Sequence, residues 1–336
     1  MSKKIRTIYD LAELAGVSAA TVSRALAGKN VVNSDTAERI RKLARTHDFT
    51  PSALARNLRI RRRGAIGVVI PLGHERAQHI SDPFFMTMIG GLADELTERG
   101  FDLVLSRVLP DRKKNWLRAI IDADRVDGVI VIGQSDQSAV LDEVAASYLP
   151  IVAWGGFAQG QIHCSVGTDN FLGGKIATQH LIEKGCRRIA FFGNPEAIEI
   201  AQRLDGAQAA VAASAATVSL SKSPTHLAVD LSATEITQFF DTSSELPDGI
   251  FAASDVIAAT IIQVLSLRGI SIPEQVKVVG FDDLPIARGT IPPLTTVRQD
   301  IATGAIQLVD LLLKRIEGKS TGSVILNPEL VVRGST

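Results

Sequence analysis

The run Ser18-Ala19-Ala20-Thr21-Val22-Ser23-Arg24 sets small and hydroxyl side chains ahead of a guanidinium. These are residue types that meet nucleic acid. A guanidinium reads guanine bidentately through O6 and N7, small apolar groups touch the thymine methyl, and hydroxyls reach phosphate. Thr7, Ser18 and Ser23 suit phosphates, Ala19 and Ala20 suit methyl contacts, Thr21 shares their helix, and Arg24 suits a base edge. A second group comprises Phe84, Phe85, Trp154, Arg203, Asp255, Asp282 and Gln299, which fall beside apolar strand-like runs or near a late chain crossover. Aromatic faces with carboxylate, amide and guanidinium groups suit a sugar, whose hydroxyls take bidentate partners and whose C–H face is apolar. Structural roles compete at several positions: core packing for Phe84 and Phe85, a helix N-cap for Asp255, and mutual pairing for Arg203 and Asp282.

Catalytic motifs fail on spacing. His74-Glu75 and His79 give HExxxH, one residue too long for the zinc motif HExxH. The glycines before Lys175 are misspaced for a phosphate loop, Ile176 replaces its Ser/Thr, and neither GxSxG nor GxGxxG occurs. Cys164 and Cys186 have no metal-ligand neighbours at motif spacing and cannot build a disulfide framework. No cofactor, metal or catalytic residue is expected. No apolar run reaches the ~18 residues of a membrane span, and the start lacks a secretory h-region, so a cytoplasmic protein is expected.

The chain has 336 residues and zero net charge. That balance hides an asymmetry: residues 1–63 carry 14 Lys/Arg against 5 Asp/Glu, and the remainder carries 22 against 31. A basic head on an acidic body is the electrostatic footprint of nucleic-acid binding. Within the head, Thr7-Ile8-Tyr9-Asp10 is a capping pattern that opens a helix ended by Gly16. Ser18 caps a second helix to Leu26, and Asn33-Ser34-Asp35 precedes a third. Helix, short Gly-bearing turn, helix is the helix-turn-helix pattern, with the second helix presented to the major groove. Thr50-Pro51 opens a two-turn helix to Arg59, too short to be stable alone. Its Leu54 and Leu58 share a face, suited to pairing with a twin helix or wedging between base steps. Arg61-Arg62-Arg63 follows as a basic linker.

From Ala65 onward apolar strands alternate with amphipathic helices in two series, which argues for two doubly wound α/β lobes with a cleft beyond the strand ends. Strands are expected at 65–70, 189–192, 250–253 and 277–281, and buried strands at 103–105, 129–132 and 151–154.

The segments TIYDLAELAGVSAATVSRALAG, FTPSALARNL, DNFLGGKIATQHLIEKGCRRIAFFGNP, IFAASDVIAATIIQVLSLRGISIPEQVKVVGFDD and IPPLTTVRQD resemble, in order, the lactose/galactose-repressor (LacI/GalR) family of bacterial transcription factors. The resemblance implies a periplasmic-binding-protein-like body crossed three times by the chain. It places Leu58 at the operator centre and Arg59 near the minor groove, sets Ala19, Ala20 and Arg24 at base-reading positions, and favours Arg203 and Asp282 as ligand contacts. One stretch departs: the Ala/Ser-rich segment between Gly206 and Asp230 offers no recognisable aromatic or polar contact. The loop His74–Ser81 looks long enough to lie beside a ligand.

The expected organisation is a three-helix head at 1–49, a hinge helix and linker at 50–63, and an effector-binding, dimerising body at 64–336. Lobe one is expected at about 64–165 and 295–323, lobe two at about 166–294 and 324–336. The expected function is a repressor of carbohydrate-utilisation genes, a homodimer on double-stranded operator DNA, released by a small sugar-like effector. Other readings are a purine-like corepressor, a solute-binding transport protein, and an enzyme of the sugar-isomerase or kinase kind. The signal-peptide-free start and basic head oppose the transport reading, and the enzyme reading lacks a catalytic constellation. The ending NPELVVRGST carries no leucine heptads, so a dimer and not a coiled-coil tetramer is expected.

Overall fold

The computed structural model describes residues 5, 7–26, 32–47, 49, 63–73, 77–110 and 115–336. The hinge segment with Leu58 and Arg59, and His74 and Glu75 of the HExxxH run, lie outside the described residues. Chain contacts divide into a unit Met1–Gly64 and a unit Ala65–Thr336.

The first unit is built from α1 (Ile8–Ala15), α2 (Ala19–Leu26) and α3 (Ser34–Thr46). Thr7 accepts the Asp10 N–H at 3.2 Å while Asp10 accepts that of Thr7 at 2.9 Å, a reciprocal capping box. Gly16 closes α1 at φ 62, where a side chain is strained. Ser18 Oγ accepts from the Thr21 N–H at 3.1 Å and starts α2. Leu11, Val22, Ala25 and Ile40 pack fully inside, and Val17 lies against them under the turn. Arg39 donates to the Ala15 carbonyl at 3.0 Å, which fixes α3 on the end of α1.

The second unit has two six-stranded sheets. The first is ordered β11-β5-β4-β3-β1-β2, with β1 (Ala65–Pro71), β2 (Asp102–Val108), β3 (Gly128–Ile132), β4 (Ile151–Trp154), β5 (Cys164–Thr168) and β11 (Val324–Leu326). The second is ordered β12-β10-β9-β8-β6-β7, with β6 (Arg188–Phe192), β7 (Ser219–Ser223), β8 (Gly249–Ala252), β9 (Lys277–Asp282), β10 (Thr295–Arg298) and β12 (Glu329–Val331). Pairings are parallel except β10 with β12. On the first sheet, Val68, Ile130 and Val152 face α4 (Pro83–Glu98) and α12 (Ile301–Ile316). Val69, Val129 and Ile151 face the opposite layer, with α5 (Trp116–Asp122) and α6 (Ser138–Ala145). Apolar residues on both faces explain the unbroken hydrophobic runs of these strands.

Two expectations need correction. Residues 103–105 form a strand but not a buried one: β2 is an edge strand, and Val104 and Leu105 are each 40% exposed. The lobe boundaries also shift. Residues 295–298, expected in lobe one, pair with β9 in the second sheet, where Val297 is buried. Residues 324–326, expected in lobe two, pair with β5 in the first sheet, and β5 itself runs on to Thr168. Hydrogen-bonding register overrides a division drawn from helix and strand alternation. The chain thus passes between the lobes three times: after β5, after β10, and between β11 and β12.

In lobe two, α7 (Asn170–Glu183) and α8 (Ile198–Ala212) touch through glycines. A Cβ on Gly174 would lie 1.9 Å from the Arg203 carbonyl oxygen, and one on Gly206 would lie 2.0 Å from that of Phe171. Helix propensity favours Ala over Gly by about 0.5–1 kcal/mol, but a main-chain oxygen cannot step aside. Gly174→Ala is expected to destabilise the body by about 1–3 kcal/mol in urea unfolding, while Gln179→Ala on the exposed face of α7 stays within ~0.5 kcal/mol. An unchanged Gly174→Ala midpoint would mean that the two helices can part freely.

Candidate functional site

The cleft between the lobes encloses about 100 Å3, where a single water needs roughly 10–15 Å3. That is room for one small ring with its substituents. Lobe one contributes an aromatic wall. Asp82 caps α4 by accepting the Phe84 N–H at 2.9 Å, which turns Phe84 and Phe85 to the cavity. Phe84 lies 6.3 Å from Trp154, whose ring packs against α12 at Gly304. Lobe two contributes the polar wall of Asn170, Arg203 and Asp282, completed by Gln299 from the crossover after β10.

Arg203 is 7% exposed. Its Nε donates to Asn170 Oδ1 at 2.8 Å, its Nη1 to the Ala253 carbonyl at 2.5 Å, and its plane lies 3.7 Å from the centre of the Phe281 ring. Burial draws its pKa down, opposed by the charges of Asp282, Glu199 and Asp255. Asp282 accepts from Gln299 Nε2 at 2.5 Å. Its backbone is at φ 122 and that of Asp283 at φ 57, two successive non-glycine residues in a strained region. Asp283 is held by ion pairs to Arg298 at 2.8 Å and to Arg333, which fasten this corner to β10 and to the segment after β12. Burial pushes the Asp282 carboxyl up to about 7; Arg203 and the Gln299 hydrogen bond oppose the rise, and the Asp82 charge adds to it.

Six of the seven candidate cleft residues therefore converge: Phe84, Phe85, Trp154, Arg203, Asp282 and Gln299 line one cavity. Arg203 and Asp282 do not form an ion pair with each other within 4.0 Å among the described residues; each has other partners. Asp255 does not line the cavity. Its Oδ1 accepts from Thr296 at 2.5 Å and its Oδ2 from the Leu284 N–H at 2.7 Å, so it ties β10 and the β9 exit to α10 (Asp255–Leu267). It is not the N-cap either: Ser254 is, accepting the Ile257 N–H at 3.2 Å.

Sequence reasoning missed Gln78, Asp82, Thr168, Asn170, Glu199 and Leu227 as lining residues. Leu227 is the contribution of the segment between Gly206 and Asp230, an aliphatic side chain where an aromatic or polar one was sought. Gln78 comes from the long loop after β1 and donates to Asp82 at 3.0 Å. Two hydrogen bonds clasp the lobes at the rim: the Gly156 N–H to Glu199 Oε1 at 3.3 Å, and Gln202 Nε2 to the Phe157 carbonyl at 3.0 Å.

In the head, Thr7, Ser18, Ala20 and Arg24 are exposed and Thr21 and Ser23 half-buried. Ala19 is half-buried against the head core, which leaves only part of its methyl free. Thr21 and Ser18 share a 2.9 Å hydroxyl contact at the start of α2. Ala20 and Arg24 stand one turn apart on its open side.

A three-helix head with an exposed, Arg-bearing second helix, carried with a two-lobed body that closes over a small cavity, defines a ligand-responsive DNA-binding protein. Family models match in both parts: Bacterial regulatory proteins, lacI family, over residues 7–52, and Periplasmic binding protein-like domain over residues 178–336. The chain is 31% identical to a ribose operon repressor of Halalkalibacterium halodurans, covering 98% of this chain and 97% of that one. It is 29% identical to an HTH-type transcriptional repressor PurR of Haemophilus influenzae, covering 98% of both. A solved transcriptional regulator CelR–cellobiose complex is similar at TM-score 0.69 and 29% identity, over 99% of this chain and all of that one. The chain belongs to the lacI family of bacterial regulatory proteins and is a DNA-binding transcriptional regulator. Among the described residues no helix is long and apolar enough to cross a membrane.

The Asp282 carboxyl supplies a pH test. Its folded pKa, about 7, lies above the unfolded value of 3.8, so between these limits the folded state binds more protons. Its contribution to stability is then lost as pH rises through that window, at no more than about 1.4 kcal/mol per pH unit. The unfolding free energy of the ligand-free protein minus that of Asp282→Asn should fall from pH 4 to pH 7 and level off above. A difference that stays flat or rises would show Asp282 ionised throughout.

Proposed function

We propose that the chain is a cytoplasmic repressor of carbohydrate-utilisation genes, binding its operator as a homodimer and releasing it when a sugar-like effector enters the cleft. The observation that carries this reading is the cleft's amphipathic build. Phe84 and Trp154 offer apolar faces on one lobe, and Arg203, Asp282 and Asn170 offer fixed polar atoms on the other. A sugar ring has that same division between C–H face and hydroxyl edge. The names of two similar proteins, a ribose operon repressor and a regulator bound to cellobiose, support it. The protein acts by binding and release, and the cleft groups orient a ligand and do not transform it.

The effector spans both lobes, so it favours one lobe angle over the other. Only such a difference in affinity can shift the equilibrium between operator-bound and released states. We assign Arg24 and Ala20 to base edges, Ala19 to a partial methyl contact, and Thr7, Ser18, Thr21 and Ser23 to the phosphate backbone. Leu58 is assigned to the operator centre and Arg59 to the minor groove. A purine-like corepressor is the second reading, favoured by the aromatic wall, which also suits a flat base, and by similarity to PurR.

Two assays on the same preparations test the division of labour. Arg24→Ala should cost about 1–3 kcal/mol in operator affinity and relax base preference at one position per half-site. An equal loss on specific and random DNA would make Arg24 a phosphate contact instead. Arg203→Ala removes a charged hydrogen-bonding group worth roughly 1.5–3 kcal/mol, so calorimetry with ribose, cellobiose, adenine and guanine should show about tenfold or greater weakening for whichever binds. Tightest binding by adenine or guanine would favour the corepressor reading. Unchanged binding in Arg203→Ala would place the effector outside the cleft.

A further inference from the structure

The charge balance of the cleft is uneven. Among the described residues three carboxylates line it, Asp82 from lobe one and Glu199 and Asp282 from lobe two, against the single guanidinium of Arg203. The carboxylates are held by neutral donors: Asp82 by the Phe84 N–H and Gln78, Glu199 by the Gly156 N–H, and Asp282 by Gln299. None of the three forms an ion pair within 4.0 Å among the described residues. The guanidinium has already given Nε and Nη1 to Asn170 and the Ala253 carbonyl and lies over Phe281. Thr168, 4% exposed, lines the same cavity with its Oγ1 buried and unpartnered. An entering molecule thus meets, among the described residues, three carboxylates, the hydroxyls of Thr168 and Ser254, the amides of Gln78, Asn170 and Gln299, and one partly committed cation.

We propose that the cleft takes an uncharged, hydroxyl-rich effector and rejects its phosphorylated counterpart, with Asp82 setting that preference from across the cleft to Asp282. This rests on the reading of the cavity as the effector site. Hydroxyl groups donate to the carboxylates and exchange hydrogen bonds with Thr168 and Arg203. A phosphate group added to such a molecule carries about −1.5 to −2 charge near neutral pH and no donor once fully ionised, so beside three carboxylates it brings repulsion that one partly committed guanidinium does not balance. Burial raises the pKa of Asp82 as well as that of Asp282, as expected where negative charge is crowded and poorly solvated. Asp82 is a specificity-determining residue here because it lies on the lobe opposite Arg203 and is not needed to hold the guanidinium.

The test is calorimetry at pH 8 on the full-length protein, with ribose, glucose and cellobiose beside ribose 5-phosphate and glucose 6-phosphate. Wild type, Asp82→Asn and Arg203→Ala are compared. Asparagine also caps helices, so Asp82→Asn removes charge and keeps the start of α4. The expected result is a neutral sugar binding at least about tenfold tighter than its phosphate, with Asp82→Asn narrowing that ratio about threefold or more. Arg203→Ala weakens both. A phosphorylated sugar that equals or beats its neutral form and is weakened by Arg203→Ala overturns the charge preference and leaves the cleft as the site. Sugar binding indifferent to Arg203→Ala overturns the site reading itself. Binding by none of the neutral sugars, or an unchanged ratio in Asp82→Asn, also sinks the proposal.

Discussion

A guanidinium 7% exposed inside a protein is the constraint on which the cleft depends. Desolvating an ion is costly unless its hydrogen bonds are replaced and its charge is met. Arg203 meets that requirement with an amide from the first turn of α7, a carbonyl at the exit of β8 and the face of Phe281 at the end of β9. Each partner comes from a different element of lobe two, so the side chain is fixed only when those elements have all arrived. The close approach of α7 to α8 at Gly174 and Gly206 is part of the same requirement, because it brings Asn170 within reach of Arg203. Asp282 then faces a positioned cation and takes up its strained backbone.

The strain at Asp282 and Asp283 has a visible counterweight. Gln299 holds Asp282 by side chain and by main chain, its N–H reaching the Asp282 carbonyl at 3.3 Å. Arg298 and Arg333 hold Asp283. Gln299 and Arg298 sit at the second crossing between lobes and Arg333 follows β12, so the corner that carries the cavity-lining Asp282 carboxylate is also where a connecting segment is anchored. A rotation of one lobe on the other pulls on Gln299 and Arg298 directly. In the proposed function, ligand contact and lobe angle are coupled through these neighbouring residues with no long relay.

Much of this was legible in the sequence, for identifiable reasons. The helix starts at Thr7, Ser18 and Asn33 were readable because capping is a local code. The alternation of strands and helices was readable from the apolar runs; Arg203, Asp282 and Gln299 were sought beyond strand ends and near a late crossover, and the family resemblance favoured Arg203 and Asp282. Asp255 obeys that rule in position yet turns inward, because Thr296 on β10 and the Leu284 N–H claim both its oxygens. Those partners lie dozens of residues away and leave no local trace. Asp82 and Glu199 were missed for the opposite reason: each sits in the first turn or cap of a helix, where an acidic residue has an ordinary explanation in the helix dipole. The lobe boundary was misplaced because three short strands after residue 290 change sheets by register alone, and periodicity carries no register between sheets.

Two rim hydrogen bonds bear on the proposed control of the body by a small molecule. The Glu199–Gly156 and Gln202–Phe157 bonds join rims that have few other polar ties in view. A neutral hydrogen bond contributes about 0.5–1.5 kcal/mol net and one to a charged group about 1.5–3, so the pair adds only a few kcal/mol to the apolar contact that Val256 and Leu284 of lobe two make with the core of lobe one. Moving a two-state equilibrium from one side almost wholly to the other takes about 5.5 kcal/mol of differential binding. A ring that bonds to Arg203, Asp282 and Gln299 on one side while covering Phe84 and Trp154 on the other makes several such bonds only when both lobes are near. In the proposed function, that difference in affinity between the two lobe angles is what shifts the equilibrium.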